Sequence, residues 1–311
     1  MAGTALRRRL TWQVAKVSAV SDETASVRTI MLDVPDWPGH QAGQHLDIRL
    51  IDEDGYVAER SYSIASAPGE GVAITVERLD DGEVSPYLTD ELRVGDDLEL
   101  RGPIGGYFTW EPADGGPLLL LAGGSGVVPL RSILRYRERT GSDVSVRLLY
   151  SSRTLDDVIY RAELDRPAAG VEVIHTLTRH QPPGWGGYAR RVDMALLGEV
   201  AWPAAEMPLA YACGPTSFVE AVSQALVQSG YPPERVKTER FGATWGSDGS
   251  GRRERHRRSA ARGLRAGDDR CRQRLRDLRR CPAGCQARGV PAGARHCRPL
   301  PDLRERAHGL L

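Results

Sequence analysis

Leu118-Leu119-Leu120-Leu121-Ala122-Gly123-Gly124-Ser125-Gly126-Val127-Val128-Pro129 is the stretch on which the fold turns. A continuous apolar run passes through a glycine turn into residues that keep helical period: Leu130, Ile133, Leu134 and Tyr136. A half-exposed strand would alternate, so an unbroken run of this length followed at once by a helix predicts a strand buried on both faces of a parallel sheet. Downstream the same grammar repeats. Strand-like runs at Val144 to Tyr150, Val171 to Leu177 and Leu209 to Ala212 are interleaved with helix-like stretches at Leu155 to Leu164 and Phe218 to Gln228. Alternating strand and helix implies an α/β domain over residues 113–245.

Upstream, between Trp12 and Phe108, the texture is different. Short alternating runs such as Gln13 to Val17, His45 to Leu50 and Ala73 to Val76 are separated by breaks at Pro35 to Gly39, Asp52 to Gly55, Pro68 to Gly71 and Gly102 to Gly106. That pattern predicts an antiparallel barrel or sandwich over residues 10–112, with a helical turn or two near Pro86 to Leu92.

The 311 residues suit two domains. The formal charge of +1 hides two unlike parts, because residues 246–311 hold 18 Arg, no Lys and 7 acidic residues, a net of +11. The remainder is −10. Residues 246–311 also lack Ile, Phe, Tyr, Trp, Met and Thr, so they are expected to be disordered. Their abrupt saturation in Arg, Ala, Gly and Pro is what a GC-rich coding sequence yields when read out of frame. The alternative is a genuine basic arm that draws nucleic-acid phosphate, with a degenerate body before it. Cys271, Cys281, Cys285 and Cys297 match only one short zinc-ligand spacing, so no metal is expected. No run of about 18 apolar residues exists, and Arg7 to Arg9 precede no apolar segment of a secretory signal. A cytoplasmic chain without functional disulfides is the expectation, with no membrane and no nucleic acid as partner.

The most informative local string is Arg60-Ser61-Tyr62-Ser63-Ile64-Ala65-Ser66. Arg supplies a fork of donors for a diphosphate, Tyr a flat face for an aromatic ring, and Ser a small hydroxyl beside that ring. Gly82-Glu83-Val84-Ser85 precedes the short predicted helix and reads either as a second phosphate seat or as a turn with an N-cap serine. The turn Gly123-Gly124-Ser125-Gly126 lets backbone amides approach a dinucleotide diphosphate at a helix start, although it is not a strict GxGxxG. After the next strand, Ser151-Ser152-Arg153 stands where an acidic residue usually holds ribose hydroxyls, and two hydroxyls with an Arg suit a 2′-phosphate. Cys213-Gly214-Pro215 follows another strand; on its own, a buried Cys there is a small core residue.

Arg60-x-Tyr62-Ser63 resembles the flavin motif of the ferredoxin reductase superfamily of flavoprotein reductases, and the resemblance covers residues 10–242. It implies a Greek-key flavin barrel followed by a Rossmann-like nucleotide domain. By resemblance, Arg60 binds the flavin diphosphate, Tyr62 packs by the isoalloxazine and Ser63 lies near flavin N5. The segment holding Gly82, Val84 and Ser85 resembles the second flavin-phosphate seat, which favours FAD over FMN. Gly102 to Phe108 resembles the turn that closes the flavin domain. Gly123, Gly124, Ser125 and Gly126 resemble the nicotinamide-nucleotide loop, with Ser152 and Arg153 favouring NADPH over NADH. Thr178, Arg179 and Arg191 resemble further nucleotide-facing positions. Cys213-Gly214-Pro215 resembles the motif whose Cys lies beside the nicotinamide, as a positioning residue and not a nucleophile.

Glu239-Arg240-Phe241-Gly242 resembles the family's last strand, whose Glu and aromatic ring border the flavin; either Phe241 or Trp245 is the covering aromatic. Ser63, Cys213 and Glu239 are thus the expected catalytic residues. The sequence carries no Cys-x4-Cys-x2-Cys run of a plant-type iron–sulfur domain. The resemblance therefore implies an NAD(P)H-dependent flavoprotein whose electrons leave for a ferredoxin, an oxygenase component or another soluble acceptor.

Overall fold

The structure is a computed structural model and describes residues 10–52 and 54–241. The expectations for Gly242, Trp245 and residues 246–311 lie outside the described residues. In the first half the alternating runs become β1 (Gln13–Thr24), β2 (Val27–Asp33), β3 (His45–Ile51), β4 (Val57–Ser63), β5 (Val72–Glu77) and β6 (Asp97–Ile104). All pair antiparallel in the order β4-β3-β6-β1-β2-β5. The two outer strands also meet, through an Ile64–Ile74 bridge and a 2.7 Å bond from the Ala65 N–H to the Ala73 carbonyl. That closure makes a Greek-key barrel, because the links β2 to β3 and β5 to β6 each cross over other strands. Inside it lie Ile30, Leu46, Ile48, Ile64, Ile74 and Leu100, with Val84, Leu88 and Leu92 covering one end. The short helix expected there is a π-helical turn, Tyr87–Glu91.

The second half runs β7 (Leu118–Gly123), α1 (Val127–Arg139), β8 (Val146–Ser152), α2 (Arg161–Leu164), β9 (Val171–Leu177), α3 (Met194–Val200), β10 (Leu209–Pro215), α4 (Thr216–Gln228) and β11 (Val236–Phe241). Its five parallel strands are ordered β11-β10-β7-β8-β9. The apolar run of β7 is explained by its two covers. Leu118, Leu120 and Ala122 pack with Val127, Leu130 and Ile133 of α1, whereas Leu119 and Leu121 pack with Leu196 of α3 and Val219, Val222 and Leu226 of α4. The strand order reverses between β7 and β10, and in open α/β sheets ligands bind outside the carboxyl ends of the strands at such a point.

One expectation is corrected. Leu155 to Leu164 is not a single helix but a 3-10 turn, Leu155–Asp157, and the four-residue α2, interrupted by Tyr160 at φ 58°. Tyr160 is held in this left-handed conformation by distant groups. Its hydroxyl donates to Thr75 on β5, and the Arg131 guanidinium lies 4.2 Å over its ring. The helix α3, not foreseen, starts at Asp193, whose carboxylate accepts the Leu196 N–H at 2.8 Å.

The halves are joined by side chains of α1 and by β11. Ser132 donates to the Ser66 carbonyl at 2.7 Å, and Arg135 pairs with both Glu70 and Glu163 at 3.1 and 3.0 Å. From the other side, Tyr107 donates to the Val236 carbonyl, and Tyr211 and Lys237 both donate to the Thr109 carbonyl. The last strand is thereby fixed against the chain that leaves the barrel.

Candidate functional site

At the strand-order reversal two loops interlock. A Cβ on Gly126 would lie 2.0 Å from the Cys213 carbonyl oxygen, and one on Gly214, at φ +152°, would lie 2.9 Å from the Gly123 carbonyl oxygen. Only glycine admits this approach. Gly123, Gly124, Ser125 and Gly126 are therefore brought against Cys213, Gly214 and Pro215, at the amino end of the 13-residue α1, where free backbone N–H groups favour an anion. The end of β8 lies beside them in the sheet. There the Ser152 hydroxyl is buried without a hydrogen-bond partner, and Arg153 and Arg179 are exposed.

On the barrel, β4 is in register with β3 so that Ser63 faces His45 and Tyr62 faces Leu46. Side chains directly opposite share a face, so His45 and Ser63 point the same way. Burial pushes the Tyr62 hydroxyl up, well past its ordinary value. The Ser63 Oγ is buried and has no partner. Arg60 donates to the Glu59 carbonyl at 2.7 Å and to the Glu83 carboxylate at 2.9 Å. Within Gly82-Glu83-Val84-Ser85, Val84 is fully buried and the Ser85 Oγ accepts the Leu79 N–H at 3.1 Å. The Ser85 hydroxyl thus shapes the loop and does not cap the following turn.

β11 closes the junction. Glu239 stands beside Cys213 in the sheet register, and its Oε1 lies 3.6 Å from His45 Nδ1. The other carboxylate oxygen is buried with no partner. Burial pushes Glu239 up to about 7. The Cys213 thiol is also pushed up, by burial first and by Glu239 second, so it is held as a neutral thiol. Burial lowers His45, with Asp47 opposing. Phe241, level with Pro215 in the sheet, packs at the edge of the core. Ser63 and His45 from one half and Cys213 and Glu239 from the other therefore lie around one junction. His45 escaped the sequence reading. Its signal was present: in His45-Leu46-Asp47-Ile48 the alternation sends Leu46 and Ile48 inward and His45 to the opposite face.

The sequence matches known proteins over this whole region. Residues 12–109 match the oxidoreductase FAD-binding domain and residues 120–224 the oxidoreductase NAD-binding domain. A ferredoxin–NADP reductase B of Sorangium cellulosum is 34% identical over 238 residues, covering 73% of this chain and 96% of that protein. The chain belongs to the ferredoxin–NADP reductase family. Another member of this family, the glycine betaine monooxygenase reductase subunit of Chromohalobacter salexigens, is 34% identical over 235 residues. The match takes in 72% of this chain and 63% of that subunit, so the chain spans less than two thirds of its length. Among solved structures, the FAD/NAD-binding domain of a nitric oxide dioxygenase from Vibrio cholerae superposes with a TM-score of 0.67 at 25% identity, covering 74% of this chain and 99% of that one. A ferredoxin reductase of carbazole 1,9a-dioxygenase gives 0.66 at 26% identity, covering 76% and 71%.

The residues present fit the family's cofactors. Two orphaned polar atoms, Ser63 Oγ and Glu239 Oε2, come from opposite halves to the junction between them. A buried polar atom without a partner is uncommon and implies a group yet to be received.

Proposed function

We propose that this chain is a flavin-dependent NAD(P)H oxidoreductase that passes electrons to a separate acceptor. The observation that carries the reading is the junction itself, where orphaned Ser63 and Glu239 atoms from opposite halves lie with Cys213 beside a glycine-only anion cradle. FAD, when bound, supplies the chemistry: it takes a hydride from the nicotinamide and releases electrons singly. The protein's part is placement. Arg60 holds the flavin diphosphate, Tyr62 flanks the ring and the Ser63 hydroxyl addresses the ring nitrogen. Gly82, Val84 and Ser85 form the seat of the second phosphate: the Gly82 N–H is engaged by the Leu79 carbonyl at 2.9 Å and fixes the turn, while the Ser85 hydroxyl, which accepts from the Leu79 N–H, keeps its own proton to donate. Gly123 to Gly126 seat the nucleotide diphosphate, Ser152 and Arg153 its 2′-phosphate, and Gly214 and Pro215 shape the loop that puts Cys213 beside the nicotinamide. Cys213 acts as a neutral spacer, while Glu239, with His45 behind it, holds a proton near neutrality at the flavin edge, and Phe241 borders the same edge.

The flavin domain spans 10–112 and the nucleotide domain 113–245; the family matches fall inside these limits. The acceptor is a ferredoxin or an oxygenase component, as the names of the relatives suggest. Among the described residues no helix is long and apolar enough to cross a membrane. The nucleic-acid alternative rests wholly on residues 246–311. The test is oxidation of NADPH or NADH by the full chain with ferricyanide as a one-electron acceptor. Turnover that requires added FAD and favours NADPH is expected. A folded protein that turns over neither nucleotide with FAD present overturns the reading.

A further inference from the structure

Glu83 sits inside Gly82-Glu83-Val84-Ser85, between the two parts of the flavin-phosphate cradle, and both oxygens of its carboxylate are engaged. Oε2 accepts from the Arg60 guanidinium at 2.9 Å, and Oε1 accepts from the Tyr56 hydroxyl at 2.9 Å. Tyr56 is fixed in turn, because the Asp52 carboxylate accepts its N–H at 2.8 Å in the hairpin between β3 and β4. A carboxylate thus takes the donors that an incoming phosphate needs, and it does so with the same oxyanion chemistry. The pair is half exposed, 51% for Arg60 and 49% for Glu83. An ion pair this open adds little to the fold and can be given up. Once a phosphate is seated on Arg60, the Glu83 charge remains as a like-charged neighbour.

We propose that Glu83 is a built-in competitor for the flavin diphosphate: it occupies Arg60 and Tyr56 in the flavin-free protein, must be displaced as FAD seats, and so lowers the affinity for phosphate-bearing flavins. The inference rests on the reading of Arg60 as the diphosphate ligand. It separates affinity for the ring from affinity for the phosphates, because riboflavin has the ring and no phosphate.

The test is fluorescence titration of the flavin-stripped full chain with FAD, FMN and riboflavin, for the wild type, Glu83→Gln, Glu83→Ala and Arg60→Ala. Glu83→Gln and Glu83→Ala are expected to tighten FAD by about fivefold and to leave riboflavin unchanged. Addition of Glu83→Gln to Arg60→Ala is expected to tighten FAD less than Glu83→Gln does alone, because only Tyr56 and the like charge are then relieved. Unchanged or weaker FAD binding by both Glu83 variants overturns the proposal, as does equal tightening of riboflavin. Wild-type FAD affinity in Arg60→Ala instead overturns the reading of Arg60 beneath it, so the two failures are distinguishable.

Discussion

The loop Gly123 to Gly126 and the segment Gly82 to Ser85 are both assigned to phosphate, yet they are held in opposite ways. The first is backbone against backbone, with a Gly126 Cβ position only 2.0 Å from the Cys213 oxygen, and no charged side chain takes part. The second is made of side chains that already have partners, with Arg60 on Glu83 and Ser85 on Leu79. A backbone cradle is preformed and tolerates charge changes nearby, but it does not tolerate a methyl group. A side-chain cradle responds to every change of charge.

The contrast breaks most easily at Gly126. Gly126→Val is expected to destabilise the chain by about 3 kcal/mol or more through overpacking against the Cys213 carbonyl. It is also expected to abolish NADPH binding, and urea unfolding with nucleotide titration measures both. Wild-type nucleotide affinity in this variant would show that the loop yields, and the distinction between the cradles would be lost. On the side-chain cradle, Arg60→Ala should retain the fold and weaken FAD by about 10- to 100-fold, the loss of a charge-assisted bidentate contact. Full flavin retention through gel filtration argues against the role.

Between the cradles, Glu239 gives a pH signature. Its carboxyl titrates near 7 in the folded chain against 4.5 ordinarily, because burial disfavours its charge. The folded state therefore binds the extra proton between those values, and stability falls as pH rises from 4.5 to 7, then levels. Glu239→Gln removes that loss, so at pH 8 the variant should be more stable than wild type by about 1–3 kcal/mol relative to their difference at pH 5. His45, lowered by burial, gives the opposite slope in both proteins and largely cancels. Parallel pH profiles of the urea midpoints would remove the burial argument. The smallest effect belongs to Arg153, an exposed side chain on the otherwise backbone-built nucleotide side. Arg153→Ala should weaken NADPH by about fivefold and NADH little, since only the former carries the extra phosphate. Equal weakening of both moves selectivity elsewhere.

How much of this was legible in the sequence follows the range of the interactions. The run Leu118 to Ala122 announced a doubly covered strand because every residue of it meets a neighbour of its own sheet or a helix directly above. The alternation alone does not separate a barrel from a sandwich; the closure lies in the Ile64–Ile74 bridge and the Ala65–Ala73 bond, which join strands that are not neighbours along the sheet. Leu155 to Leu164 kept helical spacing, yet Tyr160 is turned out of the helix by Thr75, 85 positions away on the other domain. His45 and Glu239 were each visible as strand residues, but their meeting depends on two registers and on the docking of β11. Glu83 looked like filler between the glycine and serine that mattered, because a pairing with Arg60 has no local pattern to betray it.

The central claim is that nucleotide and flavin meet at the Ser63, Cys213 and Glu239 junction. Its most direct test is the visible spectrum of the full chain, loaded with FAD and titrated anaerobically with NADPH and then, on a fresh sample, with NADH. Perturbed flavin bands that bleach stoichiometrically, at lower nucleotide concentration for NADPH, are the predicted result. A folded chain that leaves the spectrum of free FAD unperturbed, or whose bound flavin neither nucleotide bleaches, would contradict it.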